Sequence, residues 1–226
     1  MEFSIATLLA QFVDDKLVAG KNLEKKLGCE DNESIHKLQV TLDALEKINV
    51  LVKERGKYRR IYEDKVVEAK LRCSSKGFCF AIQEEESADD IYVRESHLSN
   101  AWNGDRVFVK IIKEGSRRRS PEGEVKLILE RSNPSLLATV IETEAKYKAV
   151  PLDDRLLFEL DLKEKEADLK AAVEHLVHVS VLRYPLGQLP PLGTVTKVLG
   201  SDAEEAADID IVSCKHDLPL EFPEKA

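Results

Sequence analysis

Lys76-Gly77-Phe78-Cys79-Phe80 combines one cation with two aromatic rings at alternate positions. Side chains alternate between faces in an extended strand, so Lys76, Phe78, Phe80 and Ile82 share one surface while Gly77, Cys79 and Ala81 share the other. Two neighbouring rings turned to solvent form a platform on which successive nucleic-acid bases stack, each contributing roughly 1–3 kcal/mol. Lys76 would add positive charge beside them. Tyr92 in the following segment is a candidate third ring, and Arg94, two residues on, is a candidate for stacking or phosphate pairing. An aromatic pair in a strand is also the ordinary mark of a core. The small residues Gly77, Cys79 and Ala81 favour outward rings, because they suit the crowded interior of a narrow barrel.

The net charge of −8 argues at first against a polyanionic partner, since phosphate binding draws on Lys and Arg to displace counterions. Its distribution reverses the argument. Residues 1–52 carry −3, residues 53–120 carry +4 and residues 121–226 carry −9. Lys57, Arg59, Arg60, Arg117 and Arg118 lie in the positive third and join the candidate contacts.

Other reactive side chains form no recognisable site. Cys29, Cys73, Cys79 and Cys214 show no CxxC or His-Cys spacing, which predicts buried free thiols and neither zinc nor a disulfide framework. His175 and His178 are three apart and are expected at a helix end. Asp89-Asp90, Asp153-Asp154 and Asp208-Ile209-Asp210 read as turns or strand edges, whereas metal-assisted phosphoryl hydrolysis needs several carboxylates converging on one or two ions. No catalytic residue, metal ligand or cofactor is expected within the chain. No apolar run approaches the roughly 20 residues that span a bilayer, and the start, Met1-Glu2-Phe3-Ser4, has no signal-peptide character. The expectation is a cytoplasmic protein with no membrane contact.

The elements that position these residues follow from periodicity. Apolar spacing predicts helices over Ser4–Val13, Leu23–Leu27 behind an Asn22 cap, and a third begun by Asn32 or Ser34 and carrying Ile35, Leu38, Leu42 and Leu45 on one face. Val50–Val52, a charged turn and Tyr58–Tyr62 then form a hairpin, which makes residues 1–62 a winged-helix domain. From Val66 the pattern becomes short strands: Val66–Arg72, Gly77–Ile82, Ile91–Val93, Arg106–Ile112 and Gly123–Glu130. Five strands in so short a stretch suit a partly open OB barrel over 66–131, with Arg117-Arg118-Arg119 in the last loop. A second OB-like barrel is expected over 136–213, from Leu137–Glu142, Tyr147–Val150, Phe158–Leu162, Leu176–Leu182 and Gly193–Leu199, with one helix at about Glu164–His175. Residues 214–226 read as an extended connector. The fold class is therefore mainly β with a small α+β N-terminus.

Lys76–Phe80 resembles the KGFGF motif of cold-shock domains, and Asp90-Ile91-Tyr92-Val93 resembles the companion motif. The stretch Asp90–Val109 is similar to the corresponding part of the ribonuclease R and ribonuclease II family. So are Glu122–Val125 with Ile128–Arg131, Val150–Arg155, Gly193–Gly200, Ala207–Ile211 and Leu218–Pro223, in order along the chain. This resemblance implies the leading, RNA-binding region of a 3′ to 5′ exoribonuclease, with single-stranded RNA as partner. It also implies a Mg²⁺-dependent catalytic domain following this region and docking with it. Cys79 replaces a family glycine, and Leu71 is read as standing where many cold-shock domains carry a first-strand aromatic. The alternative is a stand-alone regulator or RNA chaperone whose winged helix reads duplex DNA. That is less favoured, because Ser34–Lys47 offers only His36, Lys37 and Lys47 against Asp43 and Glu46. The second barrel, with sparse aromatics and an acidic segment, is expected to supply shape rather than grip. Lys146, Lys148 and Arg155 are its weak binding candidates.

Overall fold

Ser4 opens the first helix by a reciprocal cap: its hydroxyl accepts from the Thr7 amide at 3.1 Å and its own amide donates to Thr7 Oγ1 at 2.9 Å. In the computed structural model, which describes residues 3–13, 15–85, 88–143, 146–163 and 169–200, this helix is α1 (Ile5–Leu9). It stops short of Val13 because the Gln11 and Phe12 amides donate to the carbonyls of Leu8 and Leu9, three residues back, which tightens the last turn. Helix α2 (Gly20–Leu27) begins before the expected Asn22 cap and ends at Gly28, left-handed with φ 68°. Asp31, not Asn32 or Ser34, caps α3 (Asn32–Lys47), accepting from the Ser34 amide at 2.8 Å. That bond holds its carboxyl below the usual carboxylate range. Strands β1 (Val18–Ala19), β2 (Leu51–Glu54) and β3 (Lys57–Arg60) form a sheet in the order β1-β3-β2. Leu8, Leu23, Leu38, Leu42, Leu45 and Leu51 fill the core beneath it.

Five strands close the first barrel: β4 (Val66–Cys73), β5 (Cys79–Ile82), β6 (Ile91–Val93), β7 (Arg106–Lys113) and β8 (Glu122–Glu130), in the order β4-β5-β6-β8-β7. Every pair is antiparallel except β6–β8. The second barrel repeats the plan with β9 (Ser135–Thr143), β10 (Lys146–Pro151), β11 (Leu160–Leu162), β12 (Leu176–Arg183) and β13 (Leu192–Gly200), and β11–β13 is its parallel pair. Both are closed rather than partly open. The β7–β8 hairpin matches β12–β13 at a constant offset of 70 residues: Val107 with Val177, Val109 with Val179, Pro121 with Pro191, Gly123 with Gly193 and Val125 with Val195. Their register shifts fall at equivalent places. A methyl group at Gly123 would meet Val109 Cγ1 at 2.5 Å and Ile91 Cγ2 at 2.8 Å, and one at Gly193 would meet Val179 Cγ1 at 2.5 Å. Each closing strand therefore needs glycine where it crosses the barrel interior.

Several expectations are corrected. Residues 169–174 form turns, with Val173 bridging to Val140, so the described part of the expected helix is not helical. His175 follows those turns and His178 lies on β12, so they share no helix end. Cys73 and Cys79 are not free thiols. They face each other in register across β4–β5 and are joined by a disulfide, a pairing that residue spacing alone did not suggest. Cys29 is buried and free. Leu71 is 1% exposed and points into the barrel, so it does not occupy the position of an outward aromatic. Cys214, His216, Asp208, Asp210 and the 214–226 connector lie outside the described residues. Within them, no helix is long and apolar enough to cross a membrane, and no three His, Cys, Asp or Glu side chains converge to hold a metal.

The first barrel is the hub. Phe108, Leu127 and Leu129 on its β7–β8 surface pack into the helical core. Trp102, on the loop before β7, enters the core of the second barrel, stacking on Phe158 at 4.0 Å between centroids and meeting Tyr184 at 4.8 Å. That loop is organised by Asp105, which is 0% exposed. Its carboxylate accepts from the amides of Trp102 (2.8 Å) and Ser132 (2.9 Å) and from Arg131 Nη1 (2.9 Å). Burial pushes the Asp105 carboxyl upward, opposed by those donors. Outside, β7 and β8 carry opposed charges: Arg106 reaches Glu68 and Glu130, and Lys113 reaches Glu122. Replacing Asp105 with alanine leaves two inward amides and a half-buried guanidinium without their acceptor, and urea denaturation should register a loss of about 3–5 kcal/mol. A loss under 1 kcal/mol would refute this account of the joint.

Candidate nucleic-acid interface

Strand alternation and register decide which side chains share the outer face of β4–β6. Cys79, Ala81, Ile91 and Val93 point inward, so Phe80 and Tyr92 point out. They are direct register partners with ring centroids 5.6 Å apart, tilted by 55°. The sequence predicts Phe78 and Phe80 as ring neighbours on one strand; in the structure only Phe80 lies on β5, and its ring neighbour is Tyr92 on the adjacent strand. Phe78 reaches the surface by a different route. It precedes β5, in a tight loop where Gly77 takes φ 79° and the Ser74 amide donates to the Phe78 carbonyl at 2.8 Å. Phe78 is 50% exposed, and Lys76 is exposed on the same loop.

Two cations that sequence reasoning passed over complete this face. Arg72 pairs in register with Phe80, and Lys70 with Ile82. Both alternate with the buried Ala69, Leu71 and Cys73, and that alternation was the signal available in the sequence. Arg72, not Leu71, thus stands on the outer face of the first strand beside the rings.

Of the remaining candidates, Arg94 is exposed but held by Glu122, with Nη2 to Oε2 at 2.7 Å. Lys113 grips the other carboxylate oxygen at 3.1 Å. These donors, Lys113 first, keep the Glu122 carboxyl below the usual glutamate range. Arg117 and Arg118 are exposed at the tip of the β7–β8 hairpin, whose turn is closed by Ser116 and Arg119. Lys57 is exposed on the wing. Arg59 is committed to Glu54 and Asp15, at 3.1 and 3.3 Å. Arg60 lies over the rings of Tyr62 (4.8 Å) and Phe108 (5.0 Å), which makes it part of the joint between helical unit and barrel. In the second barrel, Lys148 pairs with Glu159 and Arg155 with Asp153, both at 2.7 Å. Phe158 and Tyr184 are spent on Trp102.

The site is thus set in a winged helix leading into two OB barrels, the first with rings and cations on one open face. Comparison with known families is consistent in order and place. The model of the cyanobacterial RNase R N-terminal domain matches residues 6–61, that of the ribonuclease B OB domain residues 69–128, and that of the cold shock domain residues 149–223. Together these matches correspond, in order, to the leading domains of ribonuclease R proteins. The chain is 72% identical over 226 residues to the acetazolamide conferring resistance protein zam of Synechocystis, covering all of this chain and 29% of that protein. It is 27% identical to ribonuclease R of Aquifex aeolicus, over 88% of this chain and 27% of the relative. The chain thus spans under a third of these two relatives. Among solved structures, Mycoplasma genitalium RNase R in complex with ribose methylated single-stranded RNA shares the fold, with TM-score 0.59 and 18% identity over 70% of this chain and 25% of that one.

Because the folded state lowers the Glu122 pKa, the stability this ion pair contributes is present above the ordinary glutamate range and lost as pH falls through the lowered value. Carboxyl titration followed by NMR should show both Lys113→Ala and Arg94→Ala raising the Glu122 midpoint. A midpoint unchanged in either variant would refute that contact.

Proposed function

We propose that the outer face of β4–β6 grips single-stranded RNA without reading its sequence. The carrying observation is the solvent-facing pair Phe80 and Tyr92, 5.6 Å apart, with Phe78 half exposed beside them and Arg72, Lys70 and Lys76 around the rings. Stacking accepts any base because every base has a π-face, and phosphate contacts carry no sequence information. Arg117 and Arg118 extend the positive surface along the β7–β8 tip. Arg94 and Lys113 contribute less, since both are already paired with Glu122. Lys57 is a peripheral phosphate contact, while Arg59 and Arg60 act within the wing and its joint.

On this reading the region belongs to a longer 3′ to 5′ exoribonuclease. It captures single-stranded RNA and passes the strand to a catalytic domain that follows residue 226, where Mg²⁺ chemistry takes place. On the same reading these domains bind and orient RNA, and the metal chemistry belongs to the domain that follows them. The sparse, committed aromatics of the second barrel support a role as wall and spacer.

Substituting Phe78 and Phe80 together by alanine should weaken binding of an oligouridine by at least about tenfold, equivalent to one lost stack of roughly 1–3 kcal/mol. Circular dichroism should remain unchanged, and unaltered affinity would overturn the platform. Glu122→Gln should free Arg94 and Lys113, raising affinity and steepening the salt dependence by up to about 0.7 per added phosphate contact. A flat salt response would exclude those two cations. Duplex DNA titrated in parallel should bind more weakly and without sequence preference.

A further inference from the structure

The disulfide sits at the base of the loop that presents Phe78. Cys73 ends β4 and Cys79 begins β5, and the two are register partners with Cα atoms 4.1 Å apart. Between them lie five residues. Three hydrogen bonds shape that loop: Ser74 N to Phe78 O at 2.8 Å, Gly77 N to Ser74 O at 3.1 Å and Phe78 N to Ser74 Oγ at 3.3 Å. The strand ladder from Arg72–Phe80 to Lys70–Ile82 lies on the far side of the bridge and continues without it. Cleavage therefore releases the loop and spares the barrel. Both cysteines also line a cleft of about 280 Å³ between the barrels, together with Gly77, Trp102, Leu157 and Phe158. Cys73 is the more exposed residue of the pair, at 9% against 3% for Cys79.

We infer that Cys73 and Cys79 are a reversible dithiol–disulfide site that locks or releases the Phe78 loop. A dithiol reductant supplies the electrons. One of its thiolates attacks the Cys73 sulfur, the Cys73–Cys79 bond breaks and Cys79 leaves as thiolate. The reductant's second thiolate then displaces Cys73, closing the reductant as a cyclic disulfide. Two electrons pass to the protein, and two protons complete Cys73-SH and Cys79-SH. Released, the loop holds Phe78 less firmly beside Phe80. The effect on RNA rests on the function proposed above, whereas the chemistry and the loop release do not.

Dithiothreitol added to the folded 226-residue chain, followed by alkylation and peptide mapping, should add labels at Cys73 and Cys79. Intact mass before reduction should be two hydrogens lower than after it. Amide exchange at Ser74, Gly77 and Phe78 should accelerate about tenfold or more, while β7 is unchanged. Oligouridine affinity should fall about fivefold, consistent with a partly lost stack, and recover on reoxidation. The Cys73→Ser, Cys79→Ser variant should match the reduced protein and ignore the reductant. Reduction only in denaturant, free thiols that no mild oxidant joins, or exchange that does not change would each overturn the site. Exchange that responds while both states bind RNA equally would overturn its effect on grip. RNA bound by neither state would overturn the proposed function, with labelling and exchange still deciding the switch.

Discussion

The arrangement depends on a single buried carboxylate. Asp105 draws together the amides of Trp102 and Ser132 and the Arg131 guanidinium. It thereby fixes the start of β7, the exit from β8 and the direction in which Trp102 leaves the first barrel. Arg131 then lies over the rings of Trp102 and Tyr184, at 5.6 and 4.1 Å, so one cation serves both the carboxylate and the aromatic joint. A charge in this position is costly unless it is paired and hydrogen-bonded, and Asp105 has two amide donors and one cationic donor. The same loop reaches the interface. Gly104 donates to the Leu71 carbonyl and Asn103 accepts from the Cys73 amide, which ties the joint to β4 behind the aromatic face.

From that hub the surfaces divide by what they must exclude. The β7–β8 side is covered by the helical unit through Phe108 and Leu129, and the Trp102 end by the second barrel. The outer face of β4–β6 remains open, and there Phe80, Tyr92 and Arg72 collect. The second barrel has the same strand plan, yet its aromatics serve the joint and its turn at 186–189 exposes leucine where the first barrel shows arginine. One scaffold thus carries two different surfaces, as expected when fold and function are set by separate residues.

Much of this was legible in the residues. Short strand-forming runs between turn signals mark all ten barrel strands to within a few positions, and the small residues beside Phe80 point to its outward face, whereas Phe78, expected on the same strand, lies in the loop before it. Errors arose where a local signal had a non-local competitor. The run 164–175 has helical composition, but Val173 bridges to Val140 and residues 169–174 are turns. Motif alignment puts Leu71 at the outward position, but it shares the inward face with Ala69 and Cys73, while Lys70 and Arg72 alternate outward. The disulfide and the role of Asp105 were illegible for a common reason. Both depend on which segments meet in space, and Asn103-Gly104-Asp105 looks like an ordinary turn until Arg131 and Ser132 arrive from the far end of β8.

Two hairpins of one strand plan, 70 residues apart in a single chain, pose a hazard during folding, since β7 could pair with β13 in place of β8. The cross-strand charges provide discrimination. Correct pairing sets Arg106 against Glu130, Lys110 against Glu124 and Lys113 against Glu122. The exchanged pairing would set those cations against the residues at the equivalent offsets, Gly200, Thr194 and Leu192. Each exposed pair is worth little to stability, about 0–1 kcal/mol. Their collective value lies in selecting the partner, an address carried by the strands that keeps twin barrels from exchanging parts.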